Sequence, residues 1–399
     1  MSTNTSSLGS KQQAISESTL DDLKEAANKI VPLIKQHRAT GNQQRDLAPE
    51  VMQAIIDAGL FRLYQPKAWG GSELDPRAFW SVQAIFAEHC LSTGWVHGVL
   101  SVQSFVMAQF GQQAQADVWA QDPDVLVSSS FQPTGKVSEV EGGYRLTGHW
   151  TFSSGSSFAK WVLVGALVYP NGEKKPPQMA LFLVPRGDYQ IKDTWHTFGL
   201  RATGSNDVVI EDAFVPQHRM LLPAAGIVPE VADSADAPAL YQLPWLYIFT
   251  GGISYLGIGA CRGALNNFIT VAKTRRAIIT GKAVKEDPDV NRIIAKTQAA
   301  LASATAIYEQ HIANMFTAIE QQQRMPFSEG LLQRSQMMGV MRNLTACVDA
   351  MRLLLGGRGV REDSPLTQCW LDMNAACAHP GNDPRAIELL FGQSQLTED

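Results

Sequence analysis

The hydrophobic period changes twice along the chain, and those two changes constrain the fold more than any other feature. Leu20, Leu23, Ala27, Ile30 and Ile34 recur at helical spacing behind Thr19-Leu-Asp-Asp22, which reads as a capping box. A second helix is predicted from Pro49, a good first-turn residue, to Gly59, and further helical patterns cover 77–90, 93–109 and 113–120. At Asp122-Pro123 the pattern changes to short stretches rich in β-branched and aromatic residues, at 125–130, 136–141, 144–152, 161–169, 178–184, 189–192 and 206–214. Gly142-Gly143, Pro170-Asn171-Gly172 and Pro185-Arg186-Gly187 supply turn signals between them. From about Leu240 long helical patterns return, at 243–273, 287–322, 328–355 and 364–378. The predicted class is α+β. It comprises an N-terminal helical domain (1–122), a middle antiparallel sheet or barrel (123–220) and a C-terminal helical bundle (221–399), with Pro223–Pro238 as a loop and residues 1–18 frayed.

Composition matters at two points. With 45% hydrophobic and 18% charged residues the chain can build a real core. A net charge of −5 without a long basic run argues against a nucleic-acid or membrane-surface partner. The five cysteines form no CxxC pair and the N-terminus has no apolar signal core, which predicts a reduced, cytoplasmic protein. The second point is the absence of any charge between Asp236 and Arg262. That stretch is headed by Pro244 and interrupted by Gly251, Gly252, Gly257 and Gly259. It reads as a helix buried on all sides, or inside a subunit interface, rather than a membrane span.

Motifs for familiar chemistry are missing. The eight histidines include no HExxH pair, and no Cys/His set has zinc spacing, so no metal site is expected. GxSxG, GxxxxGK[ST] and GxGxxG are also absent. Two serine clusters remain, Ser128-Ser129-Ser130 and Ser153-Ser154-Gly155-Ser156-Ser157 behind Phe152, each at a strand end. Such serines are ordinarily turn formers, but their hydroxyls and backbone N–H groups can also reach a bound polar ring. His379-Pro380-Gly381-Asn382-Asp383-Pro384 breaks a helix and leaves one imidazole at the break, where a plain helix cap is the alternative. Gly356-Gly357-Arg358-Gly359 is equally readable as a helix C-cap.

Taken in order, these segments resemble the acyl-CoA dehydrogenase superfamily over nearly the whole chain. Pro66-Lys-Ala-Trp-Gly70-Gly71 resembles that family's Pro-x-x-Tyr-Gly-Gly, and Tyr144–Trp161 its Gly-x-Lys-x-Trp-Ile-Thr strand. The resemblance puts Phe152 at the place of the flavin-flanking Trp and Ser154 at that of the Thr that hydrogen-bonds flavin N5, with Ser128 and Ser153 as further cofactor contacts. Phe198–Ser205 resembles the Gly-x-Arg-x-Ser/Thr segment before a strand. Gly356, Gly357 and Gly359 match the loop that approaches the flavin from a neighbouring subunit, and Arg275-Arg276 with Gly281 loosely echo Arg-x-x-Phe-Gly.

The departures point to a branch of that family. An imidazole, His379, stands where a dehydrogenase carries its carboxylate base, and Ser130-Phe131-Gln132-Pro133 replaces the Thr-Glu-Pro loop. Both resemble the oxygenase components of two-component flavin-dependent aromatic hydroxylases. That resemblance implies reduced flavin (FADH2 or FMNH2) delivered by a separate NAD(P)H:flavin reductase, O2 as co-substrate and a C4a-hydroperoxyflavin. It also implies a small phenol or indole-type substrate and a homotetramer or dimer. In these roles His379 takes a proton from the substrate with a pKa near neutrality, and Ser154 and Ser130 face flavin or substrate. His97 faces the same cavity, and Trp95 and Phe131 supply apolar walls. The alternatives are an acyl-CoA dehydrogenase-like flavin oxidoreductase and an N- or S-oxygenase on the same fold.

Overall fold

Thr19 opens the first helix, α1 (Leu20–Gln44), with the capping box read from the sequence: its Oγ1 accepts the Asp22 N–H at 3.2 Å and the Asp22 carboxylate accepts the Thr19 N–H at 2.9 Å. The computed structural model describes residues 19–169, 177–223, 237–276, 281–323 and 325–397. The expectations for residues 1–18, for the Pro170–Gly172 turn and for most of the 223–238 loop lie outside the described residues. Four more helices complete the N-terminal region: α2 (Pro49–Asp57), α3 (Pro76–His89), α4 (Leu91–Met107) and α5 (Gln112–Trp119). All 17 residues of α4 except Val99 are buried, so this helix is the centre of its layer.

Seven strands follow: β1 (Val127–Val140), β2 (Gly143–Ser153), β3 (Trp161–Val168), β4 (Gln178–Pro185), β5 (Gln190–Lys192), β6 (Asn206–Pro216) and β7 (Met220–Leu221). Their order is β5-β6-β2-β1-β3-β4-β7. The expectation of a purely antiparallel sheet is corrected here, because β1 and β3 run parallel. The two stretches read as separate strands at 125–130 and 136–141 are one long β1. Its first half pairs with β3 and its second half forms a hairpin with β2, the register shifting between Ser130 and Gly135. Gly135 allows the bend, since the Trp150 ring would stand 2.6 Å from any Cβ there.

The C-terminal helices are α6 (Ala239–Gln242), α7 (Trp245–Thr274), α8 (Pro288–Glu320), α9 (Phe327–Leu354), α10 (Pro365–Cys377) and α11 (Arg385–Thr397). α7 contains the uncharged stretch, and its packing explains the composition. A Cβ at Gly259 or Gly263 would collide with the backbone carbonyls of Ala84 or Glu88 on α3, so the two helix backbones touch. On another side Gly257 lies against Met341 of α9. Residues 250–261 are all buried, and a charge in that run would have no solvent to reach. None of the described helices is long and apolar enough to cross a membrane. One continuous apolar core runs from Leu23 on α1 to Met373 on α10, joining both helical regions, while the sheet keeps clusters of its own.

Candidate active site

The site lies where four elements meet: the end of β2, the turn before β6, the N-terminal part of α4, and the break after α10. β2 ends in a backbone kink at Phe152 (φ 66°), which turns the ring outward to 60% exposure and edge-on to Trp195 at 6.2 Å. Ser154 follows, half-buried. Its Oγ accepts the Trp95 indole N–H at 3.1 Å and lies 2.7 Å from the Ser205 hydroxyl. Ser205 lies 2.6 Å from Thr203, whose hydroxyl donates to the Leu200 carbonyl at 2.9 Å.

The turn that carries Thr203 and Ser205 is held from below. Asp372 on α10 accepts the Leu200 N–H at 2.7 Å, and its burial pushes the carboxyl up to about 6 even though that N–H stabilises the anion. Gly199 sits against the Leu371 carbonyl with no room for a Cβ. Gly199→Ala is therefore expected to lower stability by about 1 kcal/mol or more through overpacking. A denaturant midpoint equal to that of the parent chain would show that this contact can relax.

His379 caps the short turn Pro380–Asn382 after α10. Its Nδ1 accepts the Gly381 N–H at 2.9 Å, which leaves the ring proton on Nε2 in the neutral form. Burial pushes the imidazole down to about 4. With Nδ1 occupied, the geometry presents an Nε2–H donor where the sequence suggested a base near neutrality. The turn is pinned on both sides, by the Ser254 hydroxyl to the Asn382 side chain and by Arg342 Nε to the Asn382 carbonyl at 2.7 Å. Trp95 meets His379 edge-on at 5.5 Å, so a single indole touches both His379 and Ser154. Phe249 of α7 lies 6.1 Å from the imidazole and 5.4 Å from Phe131, with Trp245 also 5.4 Å from Phe131. These rings form an aromatic wall beside an N–H donor.

The N-terminal and C-terminal domain models of the acyl-CoA dehydrogenase family match residues 12–122 and 252–384. Over 369 residues the chain is 33% identical to the oxygenase subunit HsaA of a flavin-dependent monooxygenase from Rhodococcus jostii (strain RHA1), covering 92% of this chain and 96% of that protein. The chain belongs to the acyl-CoA dehydrogenase-fold flavin-dependent monooxygenases. Another relative, the oxygenase component of the FADH(2)-dependent resorcinol hydroxylase of Rhizobium sp. (strain MTP-10005), is 31% identical over 92% of both chains. Among solved structures, 3-HSA hydroxylase from Rhodococcus sp. RHA1 superposes with a TM-score of 0.85 at 30% identity, covering 94% of this chain and 97% of that one. XiaF from Streptomyces sp., solved with FADH2 and glycerol, gives 0.88 at 27% identity and covers 95% and 96%.

Reduced flavin is the cofactor of this monooxygenase family, and the end of β2 fits an isoalloxazine. Phe152, 60% exposed, leaves an aromatic surface uncovered two residues before the half-buried Ser154 hydroxyl. Not every residue read from the sequence comes to this place. His97 is 0% exposed and is enclosed by Phe61, Phe79 and Phe86 at 5.2–5.5 Å, with Nε2 donating to the Leu60 carbonyl at 2.9 Å. Two positions apart on a helix, His97 and Trp95 point roughly 200° away from each other, so only Trp95 can face the site. His97 is a core residue. Ser130 gives its proton to the Thr151 carbonyl at 2.8 Å and ties β1 to β2. Ser128 and Ser153 are turned inward, with buried hydroxyls that have no partner.

Arg275 and the Gly356–Gly359 loop form a second cluster, whereas Arg276 Nη1 donates to the Gly281 carbonyl at 2.9 Å. Arg275 Nη1 donates to the Leu355 carbonyl at 2.7 Å, and Gly356 (φ 59°) turns beside the same guanidinium. From Phe249, near the start of α7, to Arg275, just beyond its end, the helix rises roughly 39 Å at 1.5 Å per residue. Within one chain these residues cannot join Ser154. Sequence reasoning also missed Thr203, Ser205, Trp245 and Phe249. The first two lie inside the Phe198–Ser205 motif, and the i,i+4 spacing of the aromatic pair was the available signal.

Proposed function

We propose that this chain hydroxylates a small phenol, as the oxygenase component that takes reduced flavin from a separate NAD(P)H:flavin reductase. The observation that carries the reading is His379 Nδ1 accepting the Gly381 N–H at 2.9 Å, which leaves Nε2 as the nitrogen that can face a ligand. Bound flavin supplies the two electrons with which O2 is split between the substrate and water. Phe152 and Ser154 would hold the ring, and Arg275 and the Gly356–Gly359 loop of a second copy would approach it, which makes at least a dimer the working form.

The protein's own contribution is to bind and polarise the aromatic ring. Hydroxylation is electrophilic, so the ring reacts best as phenolate. The phenol gives up its proton to solvent as it binds, and His379, with only Nε2–H to offer, donates to the phenolate oxygen and stabilises that anion. An indole presents its own N–H and finds no acceptor on this imidazole, so the donor pattern favours phenols over indoles. Trp95, Phe131, Trp245 and Phe249 hold the ring against the imidazole and exclude water.

The test is coupled turnover with a generic NADH:flavin reductase and a panel of aromatics. Resorcinol and 4-hydroxyphenylacetate are expected to give oxygenated product, and indole-3-acetate mainly H2O2. Product from the indole but from neither phenol would overturn the reading.

A further inference from the structure

Helix α10 contains one charged residue, Asp372, and buries it to 5% exposure. A carboxylate held out of water costs several kcal/mol unless its partners offset the loss. Here Oδ1 accepts the Leu200 N–H at 2.7 Å and Gln368 Nε2 at 3.4 Å. Leu200 needs the support. It sits in the left-handed region at φ 52°, a conformation that costs a residue with a side chain about 1 kcal/mol or more and persists where its surroundings over-determine it. Its carbonyl is held as firmly as its N–H, accepting the Trp195 indole N–H at 2.8 Å and the Thr203 N–H at 3.2 Å. The preceding residue, Gly199, lies against the Leu371 carbonyl, so the turn is seated on α10 by both contact and hydrogen bond.

The two ends of this clamp lead to different parts of the site. Beyond the Leu200 carbonyl, Trp195 stands edge-on to Phe152 at 6.2 Å. In the other direction, α10 rises only roughly 7.5 Å from Asp372 to its last residue, Cys377. The His379 turn is fastened to that end, where the Asn382 side-chain N–H donates to the Ala376 carbonyl at 2.8 Å. We infer that Asp372 is a positioning residue of the monooxygenase: through the Leu200 peptide it holds the Trp195–Phe152 pair in register with His379, so that one helix sets the gap between the flavin ring and the aromatic substrate. This rests on the reading above that puts the flavin ring against Phe152. Reaction between two bound partners tolerates little slack, since a misplacement of about 1 Å can cost about 100-fold. What the clamp requires at position 372 is a hydrogen-bond acceptor, and the buried carboxylate supplies a strong one.

The parent chain is compared with Asp372→Leu, branched like the carboxylate but without an acceptor, and with Asp372→Asn, which keeps an oxygen at the place of Oδ1. Three quantities are measured: deuterium uptake of peptides covering 195–205 and α7, the anaerobic dissociation constant for FADH2, and the ratio of hydroxylated product to H2O2 with resorcinol at saturating flavin. Asp372→Leu is expected to raise uptake over 195–205 while α7 stays protected. It should also weaken FADH2 binding about tenfold, the equivalent of one hydrogen bond, and shift the ratio toward H2O2. Asp372→Asn should recover most of all three. Parent-like uptake and binding in Asp372→Leu overturn the proposal, and so does an Asp372→Asn as impaired as Asp372→Leu. Uptake that rises in α7 as well overturns it too, since that is a general loosening of the core. If Asp372→Leu does not fold, Trp195→Phe cuts the clamp from its half-buried side and decides in its place: FADH2 binding at the parent value overturns the proposal. Phe152→Ala separates the two readings. An unchanged FADH2 constant in that variant sinks the placement of flavin at the end of β2, whereas weakened binding there beside a parent-like Asp372→Leu sinks the positioning role alone.

Discussion

Replacing His379 with alanine is expected to slow hydroxylation of a phenol about 100-fold, the usual loss when one preorganised donor to a developing or bound oxyanion is removed. Reduced-flavin binding should survive, because the imidazole makes no hydrogen bond to Ser154 or its partners, so NADH consumption continues and is diverted to H2O2. His379→Gln keeps an N–H donor of similar reach and should recover part of the product yield. The pH profile separates a donor from a base. With the imidazole held down to about 4, its protonation state does not change between pH 5 and 8. A break in the rate near pH 6.5 that disappears in the alanine variant would return His379 to the role of general base.

The second large effect concerns stability. His97 titrates near 6.5 when unfolded and is pushed down to about 4 by burial in the folded chain. Between those values the unfolded chain binds the extra proton, so the contribution is intact above pH 6.5 and is lost as pH falls toward 4. The loss is about 2 kcal/mol between pH 7 and pH 5, and about 3 kcal/mol by pH 4. His379 adds a term of the same sign. Asp372 acts the other way: its folded value of about 6 lies above the unfolded one, so it gains stability as pH falls through that range. His97→Phe, in a nest of phenylalanines, removes only the His97 term. It leaves the Leu60 carbonyl unpaired at every pH, a constant cost that cancels in the comparison. The drop in unfolding free energy between pH 7 and pH 5 should shrink by about 2 kcal/mol in that variant. An identical drop in both proteins would mean that the interior accepts the proton.

Much of this was readable from residue order alone. The two changes of period place the sheet between helices, and α3, α4 and α5 begin and end within about two residues of their expected limits. The parallel β1–β3 pair was not readable, because strand direction depends on where a bend such as that at Gly135 sends each half of the chain. α11 was passed over although Ile387, Leu390 and Phe391 show helical spacing; its apolar face is short and is completed only by Leu331 and Met338 of α9. At the site, residue types carried Ser154, Trp95 and His379 to one place. They could not carry which imidazole nitrogen is free, which depends on the turn after α10 folding the Gly381 N–H back onto His379 Nδ1. His97 misled for a related reason: a histidine among aromatics looks the same on paper whether its helix face turns to a cavity or to the core.

α7 also has a bearing on how the chain is made. Its most apolar stretch is hidden by two partners that lie on opposite sides of it in sequence, α3 before and α9 after. A ribosome delivers α3 first, so α7 emerges with one glycine-lined face ready to seat and another bare until residues 327–354 have followed. For that interval the nascent chain displays the least charged segment it possesses. A chain ending between residues 275 and 327 is therefore expected to aggregate rather than merely lose activity, which sedimentation of the truncated product would check.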